Sequence, residues 1–311
     1  MKSNLSRNTV LRILARGFQI IVGIVLLVAG TLKGFDPNAF AEEIASYGIT
    51  PESWSIFLAW SLVIGEWMLG LALVINLWPR ITILSAITLM LLFIAVTAYA
   101  WLQGSASACG CFGNLVNRSH EEVLVEDMFF LVMLLFALPV LWHSRQEAPI
   151  WKPVTTIGGG VIAALLLVFH MALPVDDIAT NLKPGAVFNS WPVEGLHVNM
   201  NDGEHLIVLF SLETESEGDV INRVNALTED EAIPTVIALT IDGPETLGAL
   251  RFSSGLAAQL GAIEPRFARS LYRQLPRTFL LDNGEVTFVW NGIPPPAEVK
   301  SILSSKPKPA P

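Results

Sequence analysis

The stretch from Ile81 to Trp101 reads ITILSAITLMLLFIAVTAYAW and contains no charged residue. At about 1.5 Å of rise per residue, an apolar helix of this length crosses a hydrocarbon layer roughly 30 Å thick. The composition of the whole chain agrees, since 52% of its residues are hydrophobic, 15% are charged and its mean hydropathy is +0.53. Similar runs predict five transmembrane helices, at about 13–32, 55–77, 81–102, 123–142 and 154–173.

The basic residues predict the orientation of these helices. With the N-terminus inside, the inner segments hold seven Lys or Arg residues, and the short outer loops hold only Lys33 and Arg118. The first run is long and is followed by further spans, so we interpret it as a retained anchor and not as a cleaved signal peptide. We therefore expect a multi-pass protein in the bilayer of the bacterial inner membrane. The segment between the third and fourth spans and everything after residue 173 would then be periplasmic.

The residues after about 174 have the pattern of a soluble domain. From Val175 onward the chain has 18 Asp or Glu and 10 Lys or Arg, and this acidic balance argues against a nucleic-acid partner. Buried strands are predicted at 206–210 and 234–241, with a helix between them. A hairpin is predicted at 278–290 around the turn Asp282-Asn-Gly284. This order of strands and helices resembles that of a thioredoxin-like α/β fold.

Cys109 and Cys111 are the two cysteines of the chain, and they lie in Ala-Cys-Gly-Cys-Phe-Gly at 108–113. They could form a redox pair, because Gly110 lets the backbone bend enough for a strained and easily reduced disulfide. They could instead bind copper(I) or zinc together with His120. A third possibility is that they are inert or only staple the loop. The oxidising compartment predicted for this segment favours the redox role, and we assign no metal site.

Several short motifs over about residues 10–145 resemble the MauE branch of the DoxX-like family of integral membrane proteins. The Cys-Gly-Cys-Phe-Gly element is the most specific of them. The others are Gly30-Thr-Leu-Lys-Gly34, Asp36-Pro37, Tyr47-Gly48-Ile49 followed by Pro51, and Gly65-Glu66. The resemblance implies a four-helix membrane core that helps to form or transfer disulfides in an exported protein. The disulfide-rich small subunit of methylamine dehydrogenase is one such client.

Glu66 lies near the middle of the second predicted span, where a carboxyl group is costly, so it is a candidate site residue. It could relay protons or bind a quinone carbonyl, or it could be a neutral group hydrogen-bonded to a neighbouring helix. Glu126 and Asp127 could assist proton transfer near the thiols, but their position also suits the interfacial start of a helix. Lys33 could favour a thiolate, or it could extend along the helix to the membrane surface.

The second half lacks the reactive groups of the fold that it resembles. The C-x-x-C of thioredoxin-like proteins would fall at Thr214-Glu-Ser-Glu217, so both cysteines are missing and dithiol chemistry is ruled out in this domain. Leu275-Pro276-Arg277-Thr278 resembles the cis-proline loop of that family, which could present backbone groups to an extended peptide. Thr214, Glu217 and Pro276 are therefore candidates for a surface that binds a client. The alternative is that the cis-proline is merely structural.

The resulting interpretation is a helical membrane bundle followed by an α/β thioredoxin-like domain. Its expected parts are a four-helix core at 1–150, a fifth spanning helix and linker at 151–183, the soluble domain at 184–303 and a disordered tail at 304–311. The expected function is thiol–disulfide exchange with a periplasmic thiol-containing client, with Cys109, Cys111 and Glu66 as site residues. A membrane quinone is an optional electron acceptor, and no other cofactor is assigned. The alternatives are a non-enzymatic assembly factor and a metal-handling membrane protein.

Overall fold

The computed structural model of the protein describes residues 2–103, 120–142, 148–212, 217–253 and 255–305. The chain divides into two units, Met1–Val175 and Asp176–Pro311. Most of the tail predicted at 304–311 lies outside the described residues.

The first unit consists of helices. In the described part of this unit they are α1 (Lys2–Phe35), α2 (Pro37–Ser46), α3 (Glu52–Ile75), α4 (Pro79–Leu102), α5 (His120–Leu141) and α6 (Trp151–Phe169), which a short 3-10 turn extends to Ala172. Among the described residues, five segments are long and apolar enough to cross a membrane, namely Thr9–Phe35, Ser53–Ile75, Pro79–Leu102, His120–Leu141 and Trp151–Ala172. The five predicted spans are thus confirmed to within a few residues, and the protein is a multi-pass membrane protein.

Local sequence signals set the helix ends near the site. The Asp36 side chain caps α2, because its Oδ1 accepts a hydrogen bond of 3.0 Å from the backbone N–H of Ala39, and Pro37 occupies the first turn. Asn76 ends α3 in the left-handed conformation, with φ of 57°. Pro79 then opens α4. The connection between α3 and α4 is therefore short, and these two helices form an antiparallel hairpin.

The helices pack through small residues and a shared apolar core. α1 packs against α3 and α5, α4 packs against α5, and α6 packs against α3. A Cβ atom added at Gly70 would lie 2.7 Å from the backbone oxygen of Gly23, so the α1–α3 contact requires glycine on both helices. The core of the bundle is built from buried side chains of four helices: Ala15, Val22, Leu26, Leu73, Ile83, Ala86, Met90, Met133, Leu134, Ala137 and Leu141.

The second unit contains a mixed sheet. Its described strands are β1 (Val193–Glu194), β2 (Glu204–Phe210), β3 (Thr235–Thr240), β4 (Gln259–Ile263), β5 (Arg277–Asp282) and β6 (Glu285–Asn291). Its described helices are α7 (Asp176–Ala179), α8 (Glu217–Thr228), α9 (Thr246–Ser253), α10 (Pro265–Arg269) and α11 (Pro296–Ser305). The strand order is β1-β4-β3-β2-β5-β6, in which the β2–β3 and β3–β4 pairs are parallel and the others antiparallel.

Strand β2 lies inside the sheet and contributes to a core on each face. Leu206, Val208 and Phe210 point into a cluster with side chains of α8, α9 and α11. Ile207 and Leu209 point into a second cluster, which includes residues of α10 and of the loops before β2. The predicted strands at 206–210 and 234–241 and the predicted hairpin are confirmed. Strands β1 and β4 and helix α10 were not predicted.

Candidate functional site

Cys109 and Cys111 lie outside the described residues, so their redox role stays a prediction. The structure does define the helix ends from which their segment starts and to which it returns. Helix α4 ends at Leu102 and helix α5 begins at His120. The candidate site is therefore described by the groups around these helix ends and around Glu66.

Glu66 forms a buried ion pair with Lys33. Lys33 lies in the last turn of α1, and its Nζ donates to Oε1 of Glu66 at 2.5 Å. The Lys33 and Glu66 side chains are only 2% and 0% exposed. The Lys33 ammonium also lies over the rings of Phe40 in α2 and Phe93 in α4, at 5.0 and 4.8 Å from their centroids. The alternative that Lys33 extends to the membrane surface is wrong, because its side chain turns inward among three helices.

Glycine explains how α1 approaches Glu66 closely enough for this pair. A Cβ added at Gly30 would lie 2.9 Å from Cδ1 of Trp67 and 3.3 Å from both Cβ and Oε2 of Glu66. Lys33 is three residues after Gly30, so both residues are on the same face of α1. The sequence signal for the pairing is thus the element Gly30-Thr-Leu-Lys-Gly34, with its small residues around a single lysine.

Asp127 and His120 extend the polar group along α5. They are seven residues apart, and both are buried, with 9% exposure each. Among the described residues, neither Oδ2 of Asp127 nor Nε2 of His120 has a hydrogen-bond partner. The Asp127 side chain is thus buried within the bundle, and its role in proton transfer stays a prediction beside the interfacial alternative.

This arrangement combines two buried carboxyl groups with one buried ammonium group. Burying a charge without a partner is costly, so the cluster is most favourable when its total charge is close to zero. Lys33, Glu66 and Asp127 meet that condition when one carboxyl group carries a proton. The cluster can therefore hold a proton and exchange it. Among the described residues, no group of three or more His, Cys, Asp or Glu side chains could hold a metal ion.

In the second unit, Pro276 of the predicted client surface lies at one end of the central strands β2 and β5. Thr214 lies outside the described residues, and Glu217 is the first residue of α8. The Leu275–Pro276 peptide bond is cis. Leu209 of β2 pairs with Arg277 of β5, so Pro276 lies beside the end of β2, from which the chain continues towards α8. The client-binding role of Thr214, Glu217 and Pro276 stays a prediction.

The Pro276 backbone is less available than the sequence suggested. Its ring is buried, and its carbonyl accepts a hydrogen bond of 2.9 Å from the backbone N–H of Gly292. The preceding residue, Leu275, is half-buried, and its backbone groups make no hydrogen bond within the described residues. Leu275 is thus better placed than Pro276 to offer its backbone to a bound peptide.

Two arginines that flank this loop were not identified from the sequence. Arg273 and Arg277 are buried and contact Oδ1 of Asp176, at 3.0 and 3.6 Å. Asn291 completes the arrangement, since its Nδ2 donates to Asp176 Oδ2 and its Oδ1 accepts from Arg277. Nearly 100 residues separate Asp176 from Arg273, so no local pattern could have shown this contact. It fixes both ends of the loop that contains Pro276.

A second polar contact fixes the end of β2. Asp242 accepts hydrogen bonds from the Ser211 hydroxyl at 2.6 Å and from the Leu212 backbone N–H at 2.8 Å. The Thr240 hydroxyl donates to the same carboxylate at 3.1 Å. One carboxylate thus holds together the ends of two parallel strands and the start of the connection to α8.

Comparison with known proteins gives one result for the membrane unit. No curated protein matches the chain. Residues 11–140, which hold α2, α3 and α4 and most of α1 and α5, match the family described as Methylamine utilisation protein MauE. This match confirms the MauE part of the resemblance seen in the motifs. The Lys33–Glu66 pair, Asp127 and the Cys-Gly-Cys segment therefore all belong to a stretch that is similar to methylamine utilisation protein MauE.

Proposed function

We propose that this protein carries out thiol–disulfide exchange at the outer face of the bacterial inner membrane, with Cys109 and Cys111 as the redox pair. Its client would be an exported disulfide-containing protein of methylamine utilisation, as the MauE match suggests. The observation that carries the proposal is the buried Lys33–Glu66 ion pair, with a second buried carboxyl group, Asp127, on α5. Such a cluster is costly inside a membrane, and proton transfer is a role that explains it.

The proposed reaction begins with the Cys109–Cys111 disulfide. A thiolate of the client attacks one sulfur, the intramolecular S–S bond breaks, and a mixed disulfide forms between client and membrane protein. The second thiolate of the client then attacks its own sulfur in that mixed disulfide. The client leaves with a disulfide, and Cys109 and Cys111 remain as two thiols. Two electrons have moved to the membrane protein, and reoxidation must remove two electrons and two protons.

The buried cluster is the proposed acceptor of one of these protons. Lys33 pairs with Glu66, and Asp127 is a second buried carboxyl group whose Oδ2 has no hydrogen-bond partner within the described residues, so a proton on one of the two acids lowers the buried charge. Asp127 is on the helix that follows the cysteine segment, and Lys33 is at the end of α1. Glu66 lies near the middle of α3, fourteen residues after the first residue of that helix. We propose that protons pass from the thiols towards Glu66 through these groups.

The second unit is proposed to be a thioredoxin-like domain of the DoxX-type membrane protein that has lost its cysteines. The support is its sheet, in which a parallel β2–β3 pair is followed by an antiparallel hairpin, and its cis-proline loop beside the end of β2. Without cysteines it cannot exchange disulfides. Its proposed role is to hold the client near Leu275 and Pro276.

The experiment compares Cys109→Ser and Cys111→Ser with Ser107→Ala, a control in the same segment. Each variant is reconstituted in lipid nanodiscs and mixed with a reduced client, and client disulfide formation is followed by thiol alkylation and mass spectrometry. We expect both cysteine variants to lose client oxidation. When given the oxidised client instead, one of them should accumulate a mixed disulfide, because its remaining thiolate attacks the client disulfide, one client sulfur leaves as a thiol, and no second cysteine resolves the product. Ser107→Ala should behave as wild type. Full activity of both cysteine variants would reject the proposed reaction.

A further inference from the structure

A cleft lies between α3 and α4, and Glu66 forms part of its wall. Its volume is about 530 Å³, which is within the range of about 300–1,000 Å³ that is usual for small-molecule sites. Most of its lining consists of leucine and isoleucine side chains of both helices. Leu84 and Leu92 are 42% and 49% exposed, so the cleft opens on the side of the bundle that faces the lipid. A molecule that enters it must come from the hydrocarbon phase.

The polar side chains that line the cleft are three hydroxyl groups and one carboxyl group. Ser61, Gly65 and Glu66 line it from α3, and Ser85 and Thr88 line it from α4. The hydroxyls of Ser61 and Thr88 donate to carbonyls of their own helices, so their oxygens remain available as acceptors. The Ser85 hydroxyl makes no hydrogen bond within the described residues and can donate to an incoming carbonyl.

Glu66 supplies the second observation that points to a ligand. Its side chain is fully buried, and only Oε1 is occupied by Lys33. Within the part of the chain that the structure describes, Oε2 has no hydrogen-bond partner. An unsatisfied buried oxygen of this kind is costly, and a lipid acyl chain could not satisfy it. A hydroxyl donor from a bound molecule would.

We infer that this cleft binds the head group of a membrane quinone and its quinol. A quinone carbonyl can accept from the Ser85 hydroxyl, and the isoprenoid tail can lie among the leucines. Oε2 of Glu66 is buried against α1, so a quinol hydroxyl can donate to it once the Glu66 side chain turns towards the cleft. This inference rests on the proposed function, in which the reduced cysteine pair needs a two-electron acceptor. The reaction balances, because two thiols and one quinone give one disulfide and one quinol, with two electrons and two protons transferred.

Gly65 offers a specific way to fill the cleft. A Cβ added at Gly65 meets no heavy atom within 4 Å, so a larger side chain there extends into the open space without displacing the helices. Gly158 of α6 is the matched control, since it also lies in a spanning helix and a Cβ added there also meets only open space. Gly65→Leu and Gly158→Leu therefore make the same change of volume, and only the first makes it inside the cleft.

The experiment uses the full chain in nanodiscs and a photoreactive ubiquinone analogue with a short tail. We expect saturable labelling of peptides from α3 or α4 that excess decylubiquinone prevents. Gly65→Leu should weaken binding by about tenfold or more, while Gly158→Leu should bind as wild type. Ser85→Leu provides a second blocked cleft if Gly65→Leu does not fold. Labelling that is not saturable, that a phospholipid probe reproduces, or that persists in both blocked variants would overturn the inference.

One further variant separates this inference from the proposed function. The double variant Cys109→Ser with Cys111→Ser cannot exchange disulfides, but its cleft is unchanged. It should therefore bind the quinone analogue as wild type does. If the wild-type protein fails to oxidise its client and still binds quinone in the cleft, only the thiol proposal fails. If it oxidises its client with no quinone binding, only the cleft inference fails.

Discussion

At the scale of single residues, Lys33 shows how tertiary contacts override a local interpretation. A lysine near the end of an apolar helix usually extends its ammonium group to the membrane surface. Here Gly30 lets α3 approach α1, and the ammonium instead reaches Glu66 and the rings of Phe40 and Phe93. Glu66 could be selected from the sequence as a costly buried acid. Its partner could not, because the pairing depends on how closely the two helices approach.

The first prediction is that Lys33 and Glu66 are strongly coupled in stability. Lys33→Met leaves a buried carboxylate without its cation, and Glu66→Gln leaves a buried ammonium without its anion. Each single change should therefore cost about 3–5 kcal/mol of unfolding free energy. The double variant should lose much less than the sum, because neither charge remains. Denaturant unfolding of all four proteins in nanodiscs measures this coupling, and additive losses would contradict it.

At the scale of helices and strands, glycines decide how closely the spanning helices approach. Gly23 and Gly70 meet where α1 crosses α3, and a Cβ on either would lie under 3 Å from a backbone oxygen of the other. Backbone atoms cannot move aside as a flexible side chain can. In contrast, Gly65, about one and a half turns earlier on α3, faces open space.

The second prediction compares alanine at these two glycines of α3. Gly70→Ala should force α1 and α3 apart and destabilise the bundle by about 1–3 kcal/mol, as overpacking usually does. Gly65→Ala, the control on the same helix, should have little effect because its new methyl group meets nothing. The midpoints of thermal unfolding in nanodiscs give the comparison. Equal losses in both variants would show that the close α1–α3 contact does not determine the cost, since alanine raises helix propensity at both positions.

The strands show which part of the second unit could be predicted. Residues 206–210 form an uninterrupted apolar run, and the structure places them inside the sheet as most of β2. Strand β4 was missed because Gln259–Ile263 includes Gly261, which has low strand propensity. Glycine is needed at position 261 because of a tertiary contact. A Cβ there would lie 2.7 Å from Cγ1 of Val193, so glycine lets β1 pack alongside β4. Local pattern therefore identified the uninterrupted apolar strands and the hairpin, but it missed the internal strand β4, whose glycine is explained only by its neighbour β1.

The third prediction concerns the attachment of α11 to the rest of the second unit. Lys300 donates a hydrogen bond of 2.7 Å to Asp230, and this hydrogen bond lowers the pKa of the Asp230 carboxyl below its ordinary value. A lowered pKa in the folded state means that the contact stabilises above roughly pH 4 and is lost as the pH falls through the lowered pKa. Lys300→Met should therefore reduce stability slightly near neutral pH and have no effect in acid.

The measurement is the unfolding midpoint of wild type and Lys300→Met over a series of pH values. Both partners are partly exposed, so the difference should be small and should shrink in high salt. A difference that grows in acid would contradict the assigned contact.

At the scale of the whole molecule, the basic residues of the membrane unit have two functions at once. They contribute to the excess of Lys and Arg on the predicted inner side of the membrane. Three of them also donate hydrogen bonds to backbone carbonyls at helix ends. Arg16 donates to the carbonyls of Leu73 and Val74, Arg80 to that of Trp142, and Lys152 to that of Asn76. Cations are favourable at the C-terminal ends of helices. The same charges therefore stabilise the bundle and support the proposed orientation.

The fourth prediction tests that orientation. In a background without Cys109 and Cys111, single cysteines are introduced as Ser3→Cys, expected inside, and Ser305→Cys, expected outside. A membrane-impermeant maleimide added to intact spheroplasts should label only the second variant, and lysis should expose the first. In the wild-type protein, reduced Cys109 or Cys111 should be labelled without lysis. The reverse pattern would put the thiol pair in a reducing compartment and remove the basis of the redox proposal.

The fifth prediction concerns the independence of the second unit. Its sheet has an apolar core on each face, so a fragment of about 176–306, which keeps Asp176 with Arg273 and Arg277, should fold alone as a monomer. Because it has no cysteine, it should show no disulfide reductase activity. It should still bind a client peptide weakly, in the micromolar range that partial interfaces often reach. Pro276→Ala should weaken that binding if the cis-proline loop is the contact surface.

Deletion of residues 176–311 from the full protein then separates recognition from chemistry. The thiol pair belongs to the membrane unit, so its reactivity towards small disulfides should not change. Client maturation should fall, because the surface proposed to hold the client would be gone. Both rates can be followed by thiol alkylation in the same nanodisc preparation. If client maturation were unchanged, the membrane bundle would recognise its client unaided, and the cis-proline loop with its buried Arg273 and Arg277 would serve only the stability of its own domain.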